Sequence, residues 1–159
     1  MNDMVIRMIV LIDTNVVLDY FIPRQPFMDI SGNVLSLCVQ QKYRGFLAAH
    51  SITNIFYILR KQLPTAERKK LLLGLCELVE VAGIQKKQVI DALTNEDFSD
   101  FEDCLQVECA REINADCIVT RNVADFSASP IPAITPEKFL EKINAVSLST
   151  KYGTNPSLF

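Results

Sequence analysis

Residues 5–15 read VIRMIVLIDTN, and this stretch sets the first expectation for the fold. Residues 5–12 are rich in β-branched side chains and almost entirely apolar, which is typical of a central strand of a parallel sheet buried on both faces. The stretch is interrupted by Arg7 and is too short to span a membrane. It also lacks a small-residue cleavage site, so we expect no signal peptide and a cytoplasmic protein.

Working outward from this strand, the chain alternates between strand and helix patterns. Further strands are predicted over residues 46–49, 78–82, 117–119 and 132–134, the last of them at a sheet edge because proline donates no ladder hydrogen bond. Helical spacing predicts helices between them, with Gly45 ending the helix that begins near Asp29. The alternation predicts an α/β fold with three α/β/α layers around a mainly parallel sheet.

The length of 159 residues suits one domain with a sizeable core. We expect that domain over residues 1–145, its last helix over residues 136–143, and a polar tail over residues 146–159. Hydrophobic residues make up 49% and charged residues 22%, which excludes a disordered chain. The net charge of −3 gives no global basic field, so any nucleic-acid binding must be local. The five cysteines lack CxxC spacing, which predicts buried thiols rather than disulfides or a zinc site.

Polar side chains follow the predicted strands at the edge where ligands bind in open parallel sheets. Asp13 follows the first strand, Asn54 lies one turn into the helix after the second, and Asp125 follows the fourth. The helix before the fourth strand begins at the same edge and carries Asp100 and Asp103 on one face. We therefore expect these oxygen atoms to converge on one rim of the sheet.

Converging carboxylates without a His or Cys cluster are typical of a site for a hard cation such as Mg²⁺ or Mn²⁺. Two of the acids, Glu102 and Asp100, also have a structural explanation that requires no cation. Ser99 and Glu102 have capping-box spacing, and Asp100 would then lie in the first helical turn, where a carboxylate complements the helix dipole. The sequence has one histidine, His50, and no GxSxG or papain-like cysteine motif that could supply a nucleophile for it. It also has no glycine-rich loop of the kind that binds phosphates.

Four motifs together resemble the PIN domains, most closely the prokaryotic VapC-like branch. They read IDTNVVLD over residues 12–19, SITNIFYILR over 51–60, DFEDCLQ over 100–106 and TRNVADF over 120–126. Their order and spacing match over about residues 5–145, so the predicted domain is PIN-like.

The resemblance implies an endoribonuclease that depends on Mg²⁺ or Mn²⁺, often a homodimer and often the toxin partner of an antitoxin protein. Carried over position by position, Asp13 and Asp103 match metal-binding acids, and Asn122 and Asp125 match the positions that supply the last acid. Thr120 matches the hydroxyl residue beside the site. Catalysis is therefore expected from Asp13, Asp103 and Asp125.

Position 54 departs from the family pattern, because it usually holds Glu and here holds Asn. An amide offers no charge to offset the dehydration of a cation, so Asn54 is expected to support the site and Asp100 to compensate as a metal ligand. The alternative that Asn54 favours is a catalytically impaired PIN domain that binds RNA or a protein without cutting.

RNA phosphates are expected to contact nearby cations, chiefly Arg24, Arg60 and Arg121. A metal-dependent phosphotransfer protein is a further alternative, since Asp13 ends the first strand. However, the phosphatase pattern requires Asp where Asn15 stands, and a receiver requires Asp after the third strand, where residues 81–83 read VAG.

Overall fold

The computed structural model describes residues 8–152, with side chains described over residues 8–146. Its five strands are β1 (Ile9–Ile12), β2 (Arg44–Ala48), β3 (Glu80–Ala82), β4 (Cys117–Val119) and β5 (Ala133–Ile134). They form one sheet in the order β3-β2-β1-β4-β5, and every neighbouring pair is parallel. The predicted parallel sheet with an edge strand after Pro132 is confirmed.

Seven helices connect and cover these strands within the described residues. They are α1 (Thr14–Phe21), α2 (Phe27–Val39), α3 (Ala49–Ile58), α4 (Thr65–Leu78), α5 (Lys86–Thr94), α6 (Phe101–Glu112) and α7 (Pro136–Tyr152), with short 3₁₀ helices at Leu59–Lys61 and Val123–Phe126.

Alternate residues of the central strand pack into different apolar clusters, as the pleat of a strand requires. Val10 and Ile12 join a large cluster with residues of α1–α4 and α7. Leu11 joins a second cluster, to which α6 contributes Val107 and Ala110. Helices therefore cover both faces of the sheet, and the predicted three-layer α/β/α architecture is confirmed.

The strand order places a topological switch point between β1 and β4, because the chain builds the sheet outward from β1 in one direction and then returns to β1's other side. The backbone amide of Asp13 donates to the carbonyl of Val119 at 2.9 Å, so the two strands end side by side. Clefts at such points are where α/β sheets bind ligands.

Two helix ends differ from the sequence-based predictions. The helix α2 ends at Val39, and Gln41 with φ 56° turns the chain, so the prediction that Gly45 ends this helix is wrong. Gly45 lies inside β2, where a Cβ atom would meet Cys38 Sγ at 2.9 Å. The helix α7 runs to Tyr152 rather than to residue 143, so the predicted boundary at residue 145 falls within it.

Other sequence predictions concern the chain's first strand and its cysteines. The strand β1 begins at Ile9, and residues 5–7 of the predicted strand lie outside the described residues. Four cysteines are buried as predicted, whereas Cys76 is exposed, and all five are free thiols. Within residues 8–152, no helix has both the length and the apolar character needed to cross a membrane.

Gly45→Ala is expected to lower the free energy of unfolding by about 1–3 kcal/mol, because the added methyl group overpacks the space beside Cys38. Gly74→Ala is the matched control: Gly74 lies inside α4 with nothing within 4 Å of a Cβ, so the change should stabilise by about 0.5–1 kcal/mol. Urea denaturation of both variants measures the difference. Equal stabilities of the two variants would contradict this account of β2.

Candidate active site

Asp13 is the buried anchor of the site, with only 5% of its surface exposed. It occupies the N-cap position of α1, yet its side chain makes no capping hydrogen bond. Its Oδ1 instead accepts from Gln106 Nε2 at 2.8 Å. Its Oδ2 accepts from Thr120 Oγ1 and from Asn15 Nδ2, each at 2.7 Å. Donors from α6, from the end of β4 and from α1 therefore fix one carboxylate.

The segment after β4 is bound to the start of α1 through the same network. Thr120 is fully buried, and its Oγ1 accepts from the backbone amide of Asn122 at 3.0 Å. The backbone amide of Arg121 donates to Asn15 Oδ1 at 3.3 Å. The structure thus brings Thr120 and the backbone of Asn122 beside Asp13, while the Asn122 side chain is exposed.

Asp100 begins α6, and this differs from the predicted cap. Its Oδ1 accepts from the backbone amides of Glu102 at 2.8 Å and of Asp103 at 3.1 Å. Asp100 is therefore the N-cap, and the predicted capping box between Ser99 and Glu102 is wrong. The extended backbone of Asp100 lets its own short carboxylate reach both amides, so Ser99 is not needed.

Glu102, with no capping role, contacts another helix. Its Oε1 accepts from Asn54 Nδ2 at 2.6 Å, which joins the first turn of α6 to α3. Both side chains are half-buried. The helix α3 begins at Ala49, and Ser51 lies buried inside it, where its Oγ accepts from Thr14 Oγ1 at 2.8 Å.

Repulsion between carboxylates dominates the electrostatics of the site. The pKa of Asp103 is raised from 3.8 to about 7, first by burial and then by nearby carboxylates, those of Asp100, Asp13, Asp125 and Glu102. The ion pairs of the described residues include none of these five acids. These five side chains therefore form one negative cluster, named here the acidic cluster, which consists of Asp13, Asp100, Glu102, Asp103 and Asp125.

Burial also raises the pKa of Asp13, although the hydrogen bonds from Thr120 and Gln106 favour its charged form and offset part of the rise. A buried carboxylate with a negative neighbour at Asp103 lacks a compensating positive charge. The electrostatics of the acidic cluster therefore suit a bound cation.

The donor atoms of the acidic cluster are all oxygen, which is the chemistry that Mg²⁺ and Mn²⁺ require. Asp13 Oδ1 accepts one hydrogen bond from a side chain, that of Gln106. Gln106 Oε1 is buried and has no hydrogen-bond partner among the described residues. Within the described residues, no three His, Cys, Asp or Glu side chains are already arranged to hold one ion together.

The three predicted phosphate-binding arginines lie in different settings. Arg121 Nε approaches Oδ2 of the buried Asp19 at 2.6 Å, and its guanidinium lies over the Phe27 ring. Arg24 is close enough to lower the pKa of Asp19, although burial raises that pKa overall. Arg60 lies in the 3₁₀ helix after α3 and stacks on the exposed Tyr57 ring at 3.5 Å.

Sequence reasoning missed two residues of this region. Gln106 lies three residues after Asp103, a spacing that places both on one helix face and could have revealed it. Asp19 is only 1% exposed, and its place in the first motif was the available signal. Neither partner was predictable, because Gln106 meets Asp13 and Asp19 meets Arg121 only in the folded chain.

Comparisons with known proteins add family information to this geometry. A family model for the PIN domain matches residues 9–124. Ribonuclease VapC1 from Aquifex aeolicus (strain VF5) is 27% identical over 144 residues, which cover 86% of this chain and 96% of that protein.

Solved structures share the fold. VapBC2 from Rickettsia felis, bound to a DNA fragment from its promoter, has a TM-score of 0.63 and 19% identity, covering 80% of this chain and 98% of that chain. A toxin–antitoxin complex from Klebsiella pneumoniae has a TM-score of 0.61 and 15% identity, covering 80% of this chain and 97% of that chain.

The raised pKa of Asp103 predicts a pH-dependent stability difference. Asp103 keeps its proton longer in the folded chain than in the unfolded chain, so its contribution to stability falls as the pH rises from 3.8 to about 7. Asp103→Asn should therefore raise the Tm little near about pH 4 and most above about pH 7. Thermal unfolding in EDTA across this range measures it.

The control for this titration is Asp97→Asn, which changes an exposed acid in the loop before α6. Its Tm difference from the wild type should not follow the same pH profile. A constant Tm difference for Asp103→Asn at every pH would show that the acidic cluster does not strain the fold.

Proposed function

Because the chain belongs to the PIN domain family, we propose that it is a metal-dependent endoribonuclease that hydrolyses RNA phosphodiester bonds and acts as a toxin. Its likeness to a VapC ribonuclease confirms the VapC-like branch that the four motifs predicted. The observation that carries the proposal is the acidic cluster at the switch point of the sheet, in which Asp103 is repelled by four other carboxylates. Such a cluster destabilises the fold, and a function that needs the charge accounts for it.

Asp13, Asp103 and Asp125 are the proposed catalytic and metal-binding residues, with Asp100 beside them. A divalent cation held by these carboxylates would supply an activated water and a positive charge that offsets the charge developing on the phosphate. The all-oxygen donor set supports Mg²⁺ or Mn²⁺. In this proposal Gln106, Thr120 and Asn15 hold the Asp13 carboxylate in its charged form and in one orientation.

RNA contacts are proposed for the three arginines that the sequence analysis selected. Arg60 offers a guanidinium stacked on the exposed Tyr57, and such pairs can bind a phosphate and a base. Arg24 is exposed. The charge of Arg121 is largely matched by Asp19, so its contribution to phosphate binding should be smaller than that of Arg60.

An antitoxin partner and assembly as a homodimer belong to the same proposal. The antitoxin is supported by fold neighbours that were solved as toxin–antitoxin complexes. Exposed apolar side chains on α5 and at the start of α6, Ile90, Leu93 and Phe101, offer surface for protein contacts.

A second candidate function is a PIN domain that binds RNA or a protein without cutting, and Asn54 favours it. The amide of Asn54 adds no negative charge to the acidic cluster. This candidate predicts RNA binding without cleavage in Mg²⁺ or Mn²⁺, whereas the ribonuclease proposal requires cleavage.

Asp13→Asn and Asp103→Asn should each reduce cleavage of single-stranded RNA by more than about 100-fold, because each removes a metal-binding carboxylate. A gel assay with a labelled RNA, with Mn²⁺ or with EDTA, measures cleavage, and circular dichroism checks the fold. Asp97→Asn is the control and should cleave normally. Cleavage that persists in EDTA, or in both site variants, would refute the metal-dependent mechanism.

Expression of the chain without an antitoxin should slow bacterial growth, because uncontrolled RNA cleavage stops protein synthesis. The same expression of Asp13→Asn should leave growth normal, and optical density over time measures both. Normal growth with an RNA-cleaving wild type would rule out the toxin role while leaving the ribonuclease proposal intact.

A further inference from the structure

Glu102 is the acid of the cluster whose carboxylate is tied to another helix. The only hydrogen bond to that carboxylate among the described residues comes from Asn54 Nδ2, at 2.6 Å to Oε1. The donor is a neutral amide, so it orients the carboxylate without cancelling its charge. The second oxygen, Oε2, accepts no hydrogen bond from a described residue and can accept a further ligand.

The Glu102 carboxylate lies within range of two other carboxylates of the acidic cluster. Asp100 and Asp13 both act on it by like-charge repulsion, which adds to the rise in its pKa that burial causes first. The hydrogen bond from Asn54 opposes that rise and favours the charged form. Asn54 therefore holds a negative charge close to two other carboxylates, an arrangement that costs free energy when nothing positive is present.

An orphaned oxygen atom at the same place points to a ligand. Gln106 is 1% exposed, and its Nε2 donates to Asp13, whereas its Oε1 has no hydrogen-bond partner among the described residues. A buried amide oxygen without a partner loses the free energy of a hydrogen bond unless a water or an ion satisfies it. The side chain that binds Asp13 thus carries one unused acceptor atom, and the tethered Glu102 carboxylate of the same helix carries another.

Asp100 is less suited than Glu102 to bind an ion, because it has a structural role. Its Oδ1 already accepts from two backbone amides at the start of α6. An ion that bound Oδ1 would break the N-cap of the helix, which costs about 1 kcal/mol, so Asp100 can offer an ion only Oδ2 while the cap fixes its orientation.

We propose that Glu102 is a further cation ligand of the acidic cluster and that Asn54 is its positioning residue. The proposal rests on the metal-dependent nuclease proposed above. It replaces Asp100 as the acid expected to compensate for the uncharged side chain at position 54. The carboxylate reaches the cluster from α6, while α3 contributes only the amide that orients it.

The geometry offers a direct test, because the tips of the two side chains lie 2.6 Å apart. In the double variant Asn54→Glu with Glu102→Gln, the carboxylate and the amide exchange helices while the charge stays in nearly the same place. Isothermal titration of the full chain with Mn²⁺ compares this exchange variant with the wild type and with Glu102→Gln. Glu112→Gln, at the other end of α6 and exposed, is the matched control.

Glu102→Gln is expected to weaken Mn²⁺ binding by at least about tenfold, which corresponds to about 1.4 kcal/mol. The exchange variant should regain most of that affinity, and Glu112→Gln should bind as the wild type does. Asn54→Ala, which leaves Glu102 in place but untethered, should bind Mn²⁺ more weakly than the wild type. In EDTA at neutral pH, Glu102→Gln should have a higher Tm than the exchange variant, because it removes a negative charge that the exchange variant keeps in the acidic cluster.

Mn²⁺ binding by Glu102→Gln equal to that of the wild type would overturn the proposal and leave the tether as a structural contact. If Glu102→Gln does not fold, the exchange variant decides, because a folded exchange variant that binds Mn²⁺ weakly also overturns it. A wild type that binds no Mn²⁺ overturns both this inference and the metal-dependent nuclease. A wild type that binds Mn²⁺ and cleaves RNA, with an unaffected Glu102→Gln, overturns this inference alone.

Discussion

The burial of one carboxylate, that of Asp13, is the constraint on which the site depends. A buried charge is costly unless hydrogen bonds replace its water. Here the donors come from Asn15, Gln106 and Thr120, which belong to three different segments of the chain. The bonds form only when β4 lies beside β1 and α6 reaches the same edge. The buried carboxylate therefore requires this strand arrangement, and its hydrogen bonds stabilise that arrangement in turn.

The acidic first turn of α6 illustrates how function can act against stability. The Asp100 cap and the positive end of the helix favour negative charge at this position. They do not remove the repulsion that raises the pKa of Asp103 to about 7. The fold tolerates an unfavourable charge density at its switch point because the rest of the core, in two large apolar clusters, provides the stability.

Sequence patterns predicted the parts of this structure that depend on local periodicity. The strand at residues 117–119 and the edge strand after Pro132 are examples, and the shared rim of the carboxylates followed from the parallel arrangement of strands. Local signals failed where two of them compete. Ser99 and Asp100 are both good N-caps, and only the backbone conformation of Asp100 selects between them. Glycine normally ends helices, but Gly45 is needed for close packing against Cys38.

The charge of the site also bears on how an acidic chain could hold RNA. The net charge is −3, the acidic cluster lies at the rim, and the nearby Arg121 is matched by Asp19. Without a cation, an RNA phosphate at this rim would meet repulsion from several carboxylates at once. Under the proposed function, the bound cation reverses the local sign and so favours the phosphate. Binding of the cation and of RNA must then be coupled, and by linkage each increases the affinity for the other. The arginines outside the acidic cluster, such as Arg60, contribute attraction that does not depend on the cation.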